Sequence, residues 1–232
     1  MTATLYGIGV GPGDPDLITL KAQKCLQDCP VIAYPAPVGK SSLAFQIAET
    51  HVPEDAQHLR FEIPMVTDKD ALNEAYDAAA QQISGYLSQG IDVGCICEGD
   101  PMFYGSFIYL MQRIQPEYTV EVIPGVSSIM AGASIAQSPL ATHNQHLHII
   151  PATLPEEILH EQLTNADVAV IIKIGRHFEK VCRVLQQIDR FDNCHYVAHA
   201  TMQKQSHSRL NQVKNTQIPY FSLIYVGLHD DR

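Results

Sequence analysis

Three short turns carry residue types that could bind a small polar ligand. They are Gly11-Pro12-Gly13-Asp14-Pro15, Glu98-Gly99-Asp100-Pro101 and Pro124-Gly125-Val126-Ser127-Ser128. Glycine lets the main chain approach a ligand closely, proline stiffens a turn, and a carboxylate accepts hydrogen bonds from hydroxyl or amine groups. Each turn alone also fits an ordinary loop, but three of them predict one pocket built from several loops.

Each turn follows a short apolar run that predicts a buried strand. Strands are predicted at 4–10, 31–34, 60–63, 91–97, 119–123, 146–150, 168–174 and 195–199. Helical periodicity predicts helices at 16–28, 43–48, 69–88, 127–137, 155–163 and 177–188, with another beginning at 107. This alternation predicts an α/β fold whose N-terminal sheet is mostly parallel. Ligands bind such sheets at the carboxyl ends of the strands, where the turns would lie.

The chain is long enough for one large or two small domains. Gln115-Pro116-Glu117 is the best boundary candidate, which gives an α/β domain at 1–115 and a second at 119–232. The tail differs from what precedes it, because 208–213 and 220–226 read as two strands joined by a polar loop. We therefore expect a mixed C-terminal sheet with a terminal antiparallel hairpin at its edge.

The composition of the chain argues against several classes of partner. The chain has 15 basic and 25 acidic residues, and this net charge of −10 argues against nucleic acid as a partner. An anionic substrate would need a local basic patch. We find no apolar run of about 20 residues and no secretion signal, so we expect a cytoplasmic protein without a membrane partner. Six cysteines form no CxxC pair, and we expect them to be reduced.

Two nucleotide-binding motifs fail on single positions. The glycines at 7, 9, 11 and 13 do not give G-x-G-x-x-G, because Pro12 and Asp14 stand where glycine is needed. The segment 38–41 resembles the end of a P-loop, but the first glycine of that motif would fall on Tyr34. The sequence therefore supports neither a dinucleotide fingerprint nor a P-loop.

Two polar clusters remain. The cluster of His143, His146 and His148 has no cysteine or carboxylate nearby to complete a ligand set, so we predict no metal site. Lys173 and Arg176 flank a strand end beside a glycine, and we expect these two to face a ligand. Lys180 and Arg183 continue the same helix face, a pattern typical of a solvated surface.

Together, the three turns resemble those of the tetrapyrrole methyltransferases, the class III S-adenosylmethionine-dependent enzymes. The resemblance covers essentially the whole chain and includes Ala200-Thr201-Met202. Further segments resemble the precorrin-2 C(20)-methyltransferase branch of cobalamin biosynthesis: Tyr34-Pro35-Ala36, Phe103-Tyr104-Gly105-Ser106 and Pro219-Tyr220-Phe221-Ser222.

The resemblance implies two α/β domains with the cofactor in the cleft between them, and a homodimer. It implies that S-adenosylmethionine is the co-substrate and that no metal is needed. The cofactor residues it implies are Pro12, Gly99, Asp100, Phe103, Ser127, Ser128, Ile174, Ala200, Thr201 and Met202. Gln203-Lys204-Gln205 departs from the pattern of many relatives, so no contact beyond Met202 is carried over.

The implied reaction is methylation of C-20 of precorrin-2, giving precorrin-3A. The small-molecule tetrapyrrole carries many carboxylates, for which Lys40, Lys173 and Arg176 are the candidate partners. No catalytic base is assigned, although His143 and Glu98 are candidates. Three alternatives stay open: the same methylation on the cobalt-loaded macrocycle, methylation of uroporphyrinogen-III or diphthine, and a sensor or tetrapyrrole carrier that binds without turnover.

Overall fold

A computed structural model describes residues 3–64, 66, 68–214 and 217–227. The chain forms two compact units, Met1–Ser127 and Ser128–Arg232. The predicted boundary at 115–119 lies one strand too early, because the strand Thr119–Ile123 pairs with the strand Thr4–Gly9 of the first unit.

The first unit is built on a five-stranded sheet whose strands are all parallel, where a mostly parallel sheet was predicted. Its strands are β1 (Thr4–Gly9), β2 (Val31–Pro37), β3 (Gln57–Ile63), β4 (Val93–Cys97) and β5 (Thr119–Ile123). Its helices are α1 (Leu20–Asp28), α2 (Leu43–Ala48), α3 (Lys69–Leu87) and α4 (Phe107–Ile114). The strand order β3-β2-β4-β1-β5 makes β4, β1 and β5 neighbours, so the three turns identified in the sequence share one edge.

Side-chain alternation along the strands supplies a core on each face of this sheet. Leu5 of β1 packs on one face in a cluster with Phe107 of α4, and Ile8 packs on the other face in a cluster with Leu26 of α1. A Cβ at Gly7 would collide with the Phe107 ring, so this glycine allows α4 to pack directly on β1. Apolar side chains that pack on both faces of the sheet thus fix the positions of the strand ends.

The second unit has a mixed sheet. Its strands are β6 (Leu147–Pro151), β7 (Val168–Ile172), β8 (Cys194–Ala198), β9 (Ser206–Arg209) and β10 (Ser222–Val226). Its helices are α5 (Ser128–Ala136), α6 (Glu156–Asn165) and α7 (Phe178–Gln187). The order is β6-β7-β10-β8-β9, and β10 runs antiparallel to both β7 and β8. The carboxyl ends of β7 and β8 therefore share one edge with the amino end of β10.

The predicted terminal hairpin is wrong in its pairing. β9 pairs with β8, while β10 is inserted between β7 and β8. Every residue of β10 is buried, so this strand gains from neighbours on both sides. The polar Ser206–Arg209 strand takes the edge instead, and Leu210–Gln212 forms a short 3-10 helix where a strand was predicted.

The first helical region also differs from its prediction. Pro15–Leu17 is a separate 3-10 helix, and α1 begins after Thr19, whose hydroxyl accepts a hydrogen bond from the Ala22 amide. This capping bond starts α1 four residues later than predicted. None of the helices in the described ranges has the length and apolar character that crossing a bilayer requires.

All six cysteines are free thiols, but their surroundings differ. Burial raises the pKa of the Cys97 thiol to about 12 and that of the half-buried Cys182 to about 11. The Sγ atoms of Cys25 and Cys29 lie 3.9 Å apart at the end of α1, within hydrogen-bonding range. That hydrogen bond lowers the pKa of Cys25, and it raises the pKa of Cys29 together with burial.

We expect N-ethylmaleimide to alkylate Cys25 before the other thiols at neutral pH, because the thiolate is the nucleophile and Cys25 is half-exposed. Peptide mass spectrometry over a time course measures this order. The Cys29→Ala variant removes the hydrogen-bond partner and should slow the labelling of Cys25. Faster labelling of Cys182, which is also partly exposed, would contradict the prediction.

Candidate active site

The turns after β1, β4 and β5 meet in a tight main-chain junction made by Gly9, Gly99 and Gly125. A Cβ at Gly9 would lie 2.6 Å from the Gly125 nitrogen and 2.7 Å from the Gly99 carbonyl oxygen. A Cβ at Gly125 would collide with the same Gly99 oxygen. Gly99 also exchanges main-chain hydrogen bonds with Gly11, at 2.7 and 3.3 Å. Small residues are therefore needed here so that three strand ends can approach one another.

Asp100 fastens two of these turns together. Its Oδ2 accepts a hydrogen bond from the Gly125 amide at 2.9 Å, and its Oδ1 accepts one from the Met102 amide at 2.9 Å. Both carboxylate oxygens are thus used by main-chain donors. The first role of Asp100 is to fix the shape of the junction, whereas its sequence context suggested direct contact with a ligand.

The junction leaves an open side and an apolar rim. A Cβ at Gly99, which has φ +66°, would meet only the Val126 carbonyl oxygen at 4.0 Å, so a ligand can approach this turn. Next to it, Phe103 and Tyr104 are 37% and 50% exposed, with their ring centroids 5.1 Å apart in an edge-to-face arrangement. Main-chain donors, acceptors and exposed rings at one strand edge suit a ligand with polar and aromatic parts.

The predicted cofactor residues of the first unit therefore lie in adjoining turns. Gly99, Asp100 and Phe103 follow β4, and Ser127 follows the Gly125 turn. Pro12 is buried directly after Gly11, which pairs with Gly99. Spacing alone could not show that Asp100 connects the second and third turns, because the bond joins residues 25 apart.

Glu98 occupies the last position before the Gly99 turn. Its Oε1 accepts a hydrogen bond from the Ala44 amide at 3.2 Å, in the first turn of α2. Burial raises the pKa of this carboxyl group above its ordinary value. A candidate base thus lies between the Gly99 turn and the segment that carries Lys40.

Lys40 lies in the exposed turn between β2 and α2, and two residues that the sequence reasoning missed hold this turn. Arg60 donates through Nη2 to the Lys40 carbonyl at 3.1 Å and to Glu62 at 2.8 Å. Within the described ranges, the Lys40 ammonium group has no ion-pair partner. The signal that could have found Arg60 is its position in a parallel strand, β3, that pairs with β2 ahead of the Lys40 turn.

In the second unit, three of the six described non-glycine residues with positive φ lie where β7 and β8 end. Lys173, His199 and Thr201 have φ angles of +58°, +50° and +64°. Positive φ is costly for a side chain branched at Cβ, such as that of Thr201, and such strain clusters at ligand-binding positions. Lys173 and Thr201 were among the predicted site residues, and His199 was not.

Hydrogen bonds stabilise the strained turn after β8. The Phe221 carbonyl accepts from the His199 amide at 2.8 Å, and the Gln205 side chain accepts from the Thr201 amide at 3.0 Å. Gln205 belongs to the segment that departs from the family pattern. Its side chain supplies a local cap that motif matching did not reveal.

The other predicted residues of this unit are divided among several positions. The side chains of Ile174 and Ala200 are buried in the core, so a ligand could be contacted only by their main-chain atoms. Met202 follows Thr201, and Arg176 is exposed near the end of β7. Ser128 begins α5, and its carbonyl accepts a hydrogen bond from Tyr225 at 3.5 Å.

The remaining polar candidates either bond to neighbouring protein groups or lack, in the described part of the chain, partners that would complete a metal site. Lys180 donates to the Leu154 carbonyl at 2.5 Å, and Arg183 pairs with Glu156 at 2.9 Å. His143 is on an exposed loop of the second unit. Among residues 3–64, 66, 68–214 and 217–227, no group of three His, Cys, Asp or Glu side chains is arranged to hold a metal ion.

Comparison with solved structures supports this fold. A cobalt precorrin-4 methyltransferase has a TM-score of 0.76 at 22% identity, covering 97% of this chain and 94% of that one. A uroporphyrin-III C-methyltransferase from Thermus thermophilus, solved with S-adenosylhomocysteine, has a TM-score of 0.72 at 20% identity and covers 97% and 92%. At these identities, the likeness concerns the fold.

Sequence comparison goes further. This chain is 36% identical to a precorrin-2 C(20)-methyltransferase from Sinorhizobium, over 98% of this chain and 96% of that protein. It is 31% identical to a cobalt-precorrin-2 C(20)-methyltransferase from Salmonella typhimurium, over 98% and 97%. The sequence model of the Tetrapyrrole (Corrin/Porphyrin) Methylases matches residues 4–213. The chain therefore belongs to the tetrapyrrole (corrin/porphyrin) methylase family.

Proposed function

We propose that this protein transfers a methyl group from S-adenosylmethionine to C-20 of precorrin-2, a step of cobalamin biosynthesis. The observation that carries the substrate assignment is the near full-length identity of 36% with a precorrin-2 C(20)-methyltransferase. The glycine junction and its open side support the binding of a cofactor at the carboxyl edge of the first sheet.

The first unit has groups suited to holding this cofactor. S-adenosylmethionine, when bound, supplies an electrophilic methyl group, so the protein needs no covalent intermediate of its own. The turns at Gly11, Gly99 and Gly125 offer main-chain donors and acceptors, and Asp100 keeps them in register. Their task is to orient the methyl group toward the acceptor carbon at about 3–3.5 Å and to exclude water.

Basic side chains would bind the carboxylates of the tetrapyrrole. The chain has a net charge of −10, so such a substrate needs local positive charge. Lys40 in the first unit and Lys173 and Arg176 in the second are the proposed partners. The strain at Lys173 and the Arg60 contact that orients the Lys40 turn support this assignment.

The same chemistry on the cobalt-loaded macrocycle is the second candidate. It is favoured by the 31% identity with the Salmonella typhimurium enzyme, which also covers nearly the whole chain. The turns of the first unit would serve both reactions in the same way. The two candidates therefore differ in the substrate and share the proposed cofactor site.

Anaerobic incubation with S-adenosylmethionine and either metal-free precorrin-2 or its cobalt complex, followed by mass spectrometry, tests the proposal. We expect one methyl group to be added to the metal-free substrate. Addition to the cobalt complex alone would favour the second candidate. Retained cofactor binding with no methylation of either substrate would contradict both and would favour a sensor or carrier.

Two further features belong to this proposal, a homodimer and a cytoplasmic location. Both rest on the resemblance to the family and on composition. Light scattering coupled to size-exclusion chromatography measures the oligomeric state, and fractionation of the source cells measures the location.

A further inference from the structure

We propose that the Glu98 carboxylate is the base that removes the C-20 proton after methyl transfer. This inference rests on the proposed function and adds a catalytic residue to it. It starts from position, because β4 lies between β2 and β1 in the sheet, and Glu98 is the residue between the end of β4 and Gly99.

The two oxygens of Glu98 have different surroundings. Oε1 accepts from the Ala44 amide at 3.2 Å, which anchors the side chain to α2. Apart from Ala44, no other described residue forms a hydrogen bond or ion pair with the carboxyl group, whose remaining interaction is with the main chain of Glu98 itself. One oxygen is therefore held by α2, and no side chain of another described residue blocks the other oxygen from taking a proton.

Two other carboxylates near this edge are occupied. Both oxygens of Asp100 accept from main-chain amides, and Glu62 pairs with Arg60 at 2.8 Å. Burial raises the pKa of Glu98, which makes it a stronger base than an exposed carboxylate. Among these three groups, Glu98 is the one whose chemistry suits proton transfer.

The proposed step balances. As C-20 forms its bond to the methyl group, the sulfur–methyl bond breaks, and its electron pair stays on sulfur. The macrocycle then carries an additional positive charge. Glu98 Oε2 takes the proton from C-20, and the C–H electron pair returns to the ring. The neutral carboxyl group afterwards releases this proton to solvent.

Anaerobic single-turnover and steady-state kinetics of Glu98→Gln test this role. The amide oxygen of glutamine can still accept from Ala44, so the anchor is kept while the base is lost. We expect kcat to fall by about 10²–10⁴-fold, with the Kd of S-adenosylmethionine and the KM of the macrocycle within about threefold of wild type. Glu54→Gln changes an exposed carboxylate elsewhere in the first unit and is the matched control.

Two further readouts separate a base from an anchor. Wild-type kcat should fall as acidic pH protonates Glu98, and this limb should be absent from the Glu98→Gln profile. Added formate should restore part of the turnover of Glu98→Ala. Wild-type kcat in Glu98→Gln would overturn the proposal and leave Glu98 as an anchor. Absence of wild-type turnover on either macrocycle would instead overturn the proposed function, and this role with it.

Discussion

Replacing Gly125 with alanine should abolish detectable cofactor binding and lower the free energy of unfolding by about 3 kcal/mol or more. The added Cβ would collide with the Gly99 carbonyl oxygen and lie 2.9 Å from the Gly9 Cα and carbonyl carbon. These neighbours are main-chain atoms of β1 and of the turn after β4, and they cannot rotate away as a flexible side chain would. Urea denaturation and calorimetric titration with S-adenosylmethionine measure the two effects.

Gly85→Ala is the matched control for this substitution. Gly85 lies in α3, and a Cβ there would meet no atom within 4 Å. Alanine should stabilise the helix by about 0.5–1 kcal/mol without changing cofactor affinity. Wild-type stability and affinity in Gly125→Ala would show that the three turns do not pack as closely as described.

The local pattern of the sequence was sufficient for most of the first unit. Apolar alternation predicted its strands, and helical periodicity placed α3 at 69–88 against Lys69–Leu87 in the structure. The parallel arrangement followed because each strand is succeeded by a helix. Since parallel strands present their carboxyl ends at one edge, the meeting of the three glycine turns could also be anticipated.

Those local patterns could not predict which strands pair when the strands lie far apart in the sequence. Thr119–Ile123 reads as a strand in either domain, and its partner β1 lies more than 100 residues earlier. The tail shows the same limit, because two apparent strands joined by a loop suggest a hairpin. In fact, β10 needs partners on both sides to cover its apolar residues. Strand type is a local property, whereas strand order is set by the whole core.

The sequence predicted the residue types of the candidate site better than it predicted the role of each residue. Glycines at strand ends indicate close main-chain approach, and the structure uses Gly99 and Gly125 in that way. The contacts from Arg60 to Lys40 and from Glu98 to Ala44 join separate elements and leave no periodic signal. The positive φ of Thr201 could not be predicted from the sequence either, because a residue branched at Cβ rarely adopts that conformation.

Asp100→Ala should weaken cofactor binding by about 100-fold and lower the free energy of unfolding by about 3 kcal/mol or more. It removes the acceptors of the Gly125 and Met102 amides, and hydrogen bonds to a charged group contribute about 1.5–3 kcal/mol each. The Gly125 turn would then lose its attachment to the Gly99 turn. Calorimetric titration with S-adenosylmethionine and urea denaturation report the two losses.

Asp100→Asn should have an intermediate effect, because the amide keeps one acceptor oxygen and turns an NH₂ group toward the other main-chain donor. Asp55→Asn provides the control. Asp55 lies in an exposed turn of the same unit, and its substitution by asparagine removes the same charge. If Asp100→Asn and Asp100→Ala both bound the cofactor like the Asp55 variant, Asp100 would not organise the site. If cofactor affinity instead rises in the order Asp100→Ala, Asp100→Asn, wild type, then the shape of the junction determines the affinity, because each carboxylate oxygen that is removed releases one main-chain amide.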